Sequence, residues 1–380
     1  MKIAQVVPLM KTIPPDKYGG TERIATYIIH NLLKQGHEVT LFAAQGSNIQ
    51  HKNLTTEVCS PYPTFNHMKE NRKWELEQFK KVISMQDTFD IIHFHYEPFV
   101  LKIDNNIEST FLQSLYKPVV FTFHNTTYIS NRIEYYKTMP QKNNFHYVFI
   151  SENQRKPLAF LPNTHVIYNG IPVDTFPFND TPKDYLFFLG RITPVKGVKE
   201  AILTALGTNK KLFLAARIDK QDLEFYENKI KQYFNKELIV NVGEIDKNEK
   251  VTYLKDAFAM LFPIHWEEPF GLVMTEAMAC GTPVIAYNRG SVPEIVKDGK
   301  TGFIVNESEK NKRGNWITKT TGIAGLSEAI KRLYSLLPAE YKKIRLKARN
   351  QIEENFKSSI MSKKYCDLYI KMVKDIQFSV

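Results

Sequence analysis

Apolar residues recur along this chain at two intervals, and the alternation between them predicts its elements. Ile3 to Val7 make a short β-branched run, followed by a loop carrying Pro14, Pro15, Gly19 and Gly20. In "TERIATYIIHNLLKQG", Ile24, Tyr27, Ile28 and Leu32 fall on one face of a helix, with Thr21 as a candidate cap and Gly36 as the stop. "HEVTLFAA" reads as the next strand, and "DIIHFHY" (Asp90 to Tyr96), "PVVFTFH" (Pro118 to His124) and "YVFIS" (Tyr147 to Ser151) continue the series. Strands alternating with amphipathic helices predict a parallel sheet covered on both faces.

The rhythm breaks at "IYNGIPVDTFPFND", dense in Gly, Pro, Asn and Asp as a linker is, and then restarts. "DYLFFLG", "KLFLAAR", "LIVNVG", "AMLFPI" and "PVIAYN" are the strands of a second series. The fold class is therefore α/β: two similar doubly wound units, residues 1–168 and 169–357, joined near Gly170. Such sheets take ligands beyond the carboxyl ends of their strands, so the expected place for function is a cleft between the two domains.

A length of 380 residues suits two domains, and 43% hydrophobic with 24% charged residues is ordinary for a soluble protein with a sizeable core. No run reaches the roughly eighteen apolar residues of a membrane span, and "MKIAQVVPLM" reads as a first strand and not a signal peptide. Cys59, Cys280 and Cys366 are few, scattered and odd in number. They point to a reducing, cytoplasmic compartment and away from a disulfide framework or a zinc site. The net charge of +11 fits nucleic acid, an anionic membrane surface or a phosphorylated ligand. Its basic stretches, Lys69 to Lys81, Lys310 to Arg313 and Lys342 to Arg349, mostly interleave with acids and read as solvated helix faces.

Candidate chemistry concentrates in the second unit. The first loop lacks the G-x-G-x-x-G of a nicotinamide-binding fold, which tells against an oxidoreductase. It has instead the pair Gly19–Gly20 at a helix start, where free main-chain N–H groups can seat an anion. In "LGRITPVKG", Arg191 and Lys196 flank a turn after the strand Tyr185 to Leu189 and could neutralise a diphosphate. In "WEEPFGLVMTEAMACGTPV", Pro269 forbids helix before it, so a helix begins near Phe270 or Gly271. Glu268 then lies in the loop ahead of the helix and Glu276 about one and a half turns inside it. The N–H groups of Gly271, Leu272 and Val273 point at the space between and could hold a phosphate. One carboxylate can accept from sugar hydroxyls and the other from ribose hydroxyls, although each also reads as an ordinary helix acid.

"EPFGLVMTE" with "AMACGTPVIAYNRGSVPEIVKDGKTGFIV" resembles the donor-site signature of the GT-B retaining glycosyltransferases of family 4. "YGGTER", "SENQR", "VIYNGI" and "LGRITPVKG" stand in that family's order, so the resemblance spans nearly the whole chain. It implies a nucleotide-sugar donor held mainly by the C-terminal domain, with a final helix, residues 358–380, crossing back to complete the N-terminal one. By matching positions, Glu268 touches the transferred sugar and Glu276 the ribose. Arg191 and Lys196 hold the diphosphate, Gly19 and Gly20 approach it, and Gly243–Glu244 lie near the nucleobase. His124, at the family's T-x-H position, contacts the donor sugar or orients the acceptor. Ala216 stands where the family commonly has Gly.

The implied reaction is transfer of a hexose from a UDP- or GDP-sugar such as UDP-glucose to an acceptor hydroxyl of a glycan, a lipid-linked or a small molecule. It proceeds with retention and by front-face attack, since no residue stands out as a covalent nucleophile. No DxD-type acidic pair stands out, so neither metal nor cofactor is expected. His93 and His95 read as structural hydrogen-bonders and Ser151 in "SENQR" as a helix cap. Loops Pro8 to Lys17, His95 to Leu101 and Asn125 to Tyr136 are expected to read the acceptor. Lys69, Arg72, Lys73, Trp74, Phe79 and Lys80 form a candidate peripheral membrane contact. The rival readings are a nucleotide-sugar epimerase of the same fold and a basic surface-binding protein. The second needs a nucleic-acid motif or a one-sided basic face, and no such motif is visible.

Overall fold

The computed structural model of the protein describes residues 1–16, 19–62, 68–98, 111–125, 132–234 and 237–377. The chain divides into two compact units, Met1–Gly170 with Ser358–Val380, and Ile171–Lys357. Each is built on one parallel sheet.

In the first unit, strands β1 (Lys2–Val6), β2 (Glu38–Ala44), β3 (Leu54–Ser60), β4 (Ile91–Phe94), β5 (Val119–Phe123), β6 (Phe145–Phe149) and β7 (Thr164–Val166) lie in the order β3-β2-β1-β4-β5-β6-β7. Every residue of β4, β5 and β6 is buried, which explains their nearly unbroken apolar sequence: a parallel strand covered on both faces has no wet side. Phe94, Phe121 and Tyr147 stack in line across these three strands, at centroid distances of 5.5 and 5.9 Å. Helix α1 (Gly20–Lys34) buries Ile24, Ile28 and Leu32 of the predicted face and leaves Tyr27 half-buried. Gly19 takes the cap position and no side chain caps this helix, so Thr21 does not play the role expected of it. Helix α2 (Met68–Ser84) carries the candidate membrane patch, and the structure withdraws Phe79 from its surface. Phe79 lies in the hydrophobic core, Trp74 packs against that core, and Arg72 and Lys80 pair with Glu75 and Glu77 of their own helix. The side chain of Lys69 falls outside the described residues.

In the second unit, β8 (Leu186–Arg191), β9 (Leu212–Arg217), β10 (Ile239–Gly243), β11 (Ala259–Phe262), β12 (Val284–Tyr287) and β13 (Gly302–Val305) run in the order β10-β9-β8-β11-β12-β13. Here too the interior strands β11 and β12 are wholly buried. Both sheets reverse their winding once, between β1 and β4 and between β8 and β11, and these switch points are where open α/β sheets take ligands. Helices α3 (Val198–Gly207), α4 (Lys247–Asp256), α5 (Leu272–Ala279), α6 (Gly322–Tyr334) and α7 (Pro338–Asn355) flank the second sheet, while α8 (Ser358–Gln377) belongs to the first unit. Among the described residues no helix is long and apolar enough to cross a membrane. All three cysteines are free and buried.

One helix of the basic stretch 342–349 is not a solvated face. Arg345 of α7 has no exposed surface. Its guanidinium donates to the carbonyls of Asn179 (2.6 Å), Ala257 (2.9 Å), Lys255 (2.9 Å) and Cys280 (3.4 Å), and to the hydroxyls of Tyr341 (3.0 Å) and Thr282 (3.3 Å). Arg349, one turn on, donates to the carbonyls of Ala279 and Phe176. Of these carbonyls, Lys255 and Ala257 lie at the end of α4 and Ala279 and Cys280 at the end of α5, where helices leave acceptors without partners and where a cation meets the negative end of the dipole. Arg345 therefore fixes two helices at once. Arg345→Met should lower the urea stability of the second unit by about 3 kcal/mol, since it strands several buried acceptors. Arg345→Lys should recover little of it, because an ammonium cannot reproduce the planar fork. A loss below about 1 kcal/mol for Arg345→Met would contradict this role.

Candidate active site

The carboxyl ends of β8 and β11, neighbours at the switch point, carry the loops that hold the predicted residues. After β8 the chain makes a single 3-10 turn over Pro194–Lys196 and enters α3 through Gly197, whose φ is 70°. A Cβ on Gly197 would lie 1.8 Å from the carbonyl oxygen of Pro263, so only glycine lets this turn close on the β11 loop. The N–H of His265 donates to the carbonyl of Val195 at 2.9 Å and closes the same contact.

That approach brings Lys196 to Glu268. The Lys196 ammonium donates to Glu268 Oε2 at 2.9 Å, and the indole Nε1 of Trp266 donates to the same oxygen at 3.1 Å. Lys196 also lies 4.7 Å from the centre of the Trp266 ring, a cation–π contact that fixes its head group. Glu268 is only 8% exposed. Its main chain is clamped as well. Ser291 N–H donates to its carbonyl at 2.9 Å, and Gly290, at φ 55°, packs so closely that a Cβ would lie 2.2 Å from that oxygen. The neighbouring Glu267 accepts from Gly290 N–H at 2.8 Å and from Arg289 and Arg313. Desolvation works the other way, but these bonds hold the Glu267 carboxyl below the usual range.

Gly271 caps α5 in the left-handed conformation, φ 79°, and α5 begins at Leu272, with Leu272 and Val273 half-buried in its first turn. Phe270 is buried against Phe356 and accepts from Ser291 Oγ through its carbonyl, which anchors the turn from behind. Glu276, 2% exposed, accepts from the Lys250 ammonium of α4 at 2.7 Å. The sequence reading did not name Lys250. Its signal is local only: one of three lysines in a helix capped by Asp246 and Glu249. Likewise Gly197, Gly290 and Ser291 lie within the donor-site motifs, but their roles rest on contacts with the Pro263 and Glu268 main chain that no local pattern announces.

Arg191 is the last residue of β8 and not part of the following turn, and its guanidinium donates to Asp219 Oδ2 at 3.1 Å. Arg217 binds the same carboxylate at 2.8 Å. Desolvation alone would raise the Asp219 pKa, but the two guanidiniums bring it below the ordinary value. The structure thus joins Lys196, Glu268 and Gly271, while Arg191 and Glu276 each have another partner. Gly243 ends β10 at φ 71°, and the Glu244 side chain beside it is exposed. Among the described residues no group of three His, Cys, Asp or Glu side chains converges as a metal-binding cluster.

Gly19, Gly20 and His124 belong to the first unit. His124 follows β5, half-buried, with its Nε2 3.0 Å from His95 Nδ1. His95 and His93 are buried side by side, ring centroids 4.1 Å apart, on the shared face that strand alternation predicts. Ser151 accepts from Gln154 N–H at 3.2 Å and caps a four-residue helix. Of the loops expected to read the acceptor, residues 17, 99–101 and 126–131 lie outside the described residues.

Burial lowers the pKa of His93, His95 and His124, and also of His30, His37, His146 and His165 in the same unit. The deeply buried rings of His93, His95 and His124 stay neutral in the fold and take up protons near pH 6.5 when unfolded, so their contribution is full above that pH and is lost below it. Urea unfolding of the first unit should therefore show stability falling between pH 7 and pH 5.5, by up to about 1.4 kcal/mol per pH unit for each such histidine. Glu22 and Glu75, raised by burial, act oppositely at lower pH. A flat profile over that window would contradict the assignment.

Two family models cover most of the chain in succession. That described as "Glycosyltransferase Family 4" matches residues 18–175, and that described as "Glycosyl transferases group 1" matches residues 175–335. Spore coat protein SA of Bacillus subtilis is 24% identical over 378 residues, spanning 90% of this chain and 95% of its own length. An uncharacterized 41.2 kDa protein in the cps region of Klebsiella pneumoniae is 32% identical over 130 residues, which are 33% of this chain and 34% of that protein. Among solved structures, sucrose-phosphate synthase from Thermosynechococcus elongatus aligns with a TM-score of 0.78 at 19% identity, over 99% of this chain and 100% of that one. Anabaena HepE in complex with UDP-glucose aligns with a TM-score of 0.67 at 16% identity, over 100% of each chain.

Proposed function

The chain belongs to the group 1 glycosyltransferases of family 4, with the two Rossmann-like domains of the GT-B fold, and on that premise we propose the reaction it catalyses. It transfers a hexose from a UDP- or GDP-sugar to an acceptor hydroxyl, with retention of anomeric configuration and without a divalent metal. The observation that carries this reading is the pair of buried carboxylates, Glu268 and Glu276, each on a lysine and separated by the start of α5. A fold neighbour solved with UDP-glucose supports the class of donor.

In this reading Glu276 accepts hydrogen bonds from the ribose hydroxyls and Glu268 from the hexose. The N–H groups of Leu272 and Val273, at the positive end of α5, face the diphosphate together with Lys196 and Arg191. Gly243 and Glu244 border the nucleobase. In the first unit, Gly19 and Gly20 supply main-chain N–H groups and His124 serves a hydroxyl of the reacting sugars. The anomeric C–O bond breaks with its electron pair passing to the diphosphate, and the cations stabilise the charge that develops there. One such donor is worth about 3 kcal/mol. The acceptor oxygen bonds to the anomeric carbon on the face the diphosphate leaves, and its proton passes to the departing diphosphate oxygen. No covalent adduct with the protein forms. The three free, buried cysteines support a reducing, cytoplasmic setting.

Glu276→Ala should raise the Kd for the nucleotide by about 10- to 100-fold, the worth of hydrogen bonds to a charged group, read by calorimetry. Glu268→Ala should instead lower kcat, with the nucleotide Kd within a few-fold of the parent. If both variants fold, bind and turn over as the parent does, these carboxylates do not hold the donor.

A further inference from the structure

We propose that a buried relay running from Tyr369 of α8 through Gln5 and His95 holds His124 in a single tautomer, protonated at Nε2 with the lone pair on Nδ1, so that His124 accepts a hydrogen bond from a hydroxyl. Tyr369, Gln5 and His95 are then positioning residues. The identity of that hydroxyl, a sugar hydroxyl, rests on the function proposed above; the tautomer does not.

The direction of the relay follows from its members. Gln5 donates through Nε2 to the Tyr369 hydroxyl at 3.4 Å, so its Oε1 faces His95 Nε2 at 2.8 Å. An amide oxygen only accepts, so His95 Nε2 carries a proton. A neutral imidazole has one donor, which leaves His95 Nδ1 as an acceptor. His124 Nε2, 3.0 Å away, must then donate to it, and the lone pair of His124 falls on Nδ1.

The far side of the relay agrees. The Tyr369 hydroxyl, having accepted from Gln5, directs its proton to His93 Nδ1 at 2.6 Å. His93 Nε2 donates in turn to Thr122 Oγ1 at 2.7 Å, which lies 3.1 Å from the Tyr365 hydroxyl. Every linking side chain donates one of these bonds and accepts another. Gln5, Thr122, His93, Tyr365 and Tyr369 have no exposed surface and His95 almost none, so water does not compete for the bonds among them. Burial holds His93 and His95 well below the usual histidine pKa and lowers His124 too, which keeps all three rings neutral at pH 7. The C-terminal helix thus contributes two tyrosines to a polar thread through the sheet, beyond covering α1.

Reversing the Gln5 carboxamide would reverse every bond as far as His124 and turn its Nδ1 into a donor. Nitrogen-15 NMR of histidine-labelled protein distinguishes these states without any substrate, with His124→Ala assigning the resonance. The expected spectrum at pH 7.5 shows His124 protonated at Nε2 and unprotonated at Nδ1, in one form. In Tyr369→Phe, Gln5 loses the partner that orients it, and the same resonance should report a mixture of tautomers, while the nucleotide Kd stays unchanged. kcat should fall about tenfold, one hydrogen bond's worth. A protonated Nδ1 in the parent protein, or an unaltered tautomer in Tyr369→Phe, overturns the relay. The expected tautomers with no transfer from any nucleotide-sugar would leave the relay standing and overturn the proposed function alone.

Discussion

The second unit depends on holding two carboxylates out of bulk water beside each other's loops. A carboxylate withdrawn from water is costly unless cations and N–H groups replace its hydration. Lys196 and the Trp266 indole do this for Glu268, and Lys250 does it for Glu276. Each partner must then be brought to between 2.7 and 3.1 Å by its own element, and this requirement explains the glycines. Gly197 lets the Lys196 turn touch Pro263, and Gly290 lets its loop lie on the main chain of Glu268. Both take positive φ, which side-chain-bearing residues rarely adopt.

The same constraint reaches the periphery. Glu276 and Lys250 sit on α5 and α4, and their pairing holds only while those helices keep their register. Arg345 binds carbonyls at the ends of both helices from a position with no exposed surface. A buried guanidinium is thereby stabilised by helix-end carbonyls, and the register of α4 and α5 is set partly from their C-terminal ends. In the first unit a different device fills the sheet's carboxyl end: neutral imidazoles, an amide and two tyrosines joined by hydrogen bonds.

Much of this could be read from the residues. Long apolar runs such as "PVVFTFH" and "PVIAYN" can only be central strands of covered sheets, and β5 and β12 are those strands. The proline before Phe270 located the start of α5 to within two residues. Strands with mixed pattern were missed: β3, "LTTEVCS", mixes half-buried and exposed positions at the sheet edge before two buried residues, and β7 has only three residues. Long-range pairings were also invisible. Lys250 and Glu276 are 26 residues apart and Arg191 and Asp219 are 28 apart, and no local spacing announces either pair. Phe79 looked like an exposed aromatic among lysines because helical phase, and not neighbouring charge, decides which face is buried.

The central claim is that the second unit's carboxylates and cations hold a nucleoside diphosphate without a metal. It is tested most directly by calorimetric titration of the unmodified protein with UDP, GDP and ADP in the presence of EDTA. The account predicts saturable one-to-one binding of one of these nucleotides that EDTA does not weaken. Absence of binding to all three, or binding that appears only when a divalent cation is restored, would contradict it.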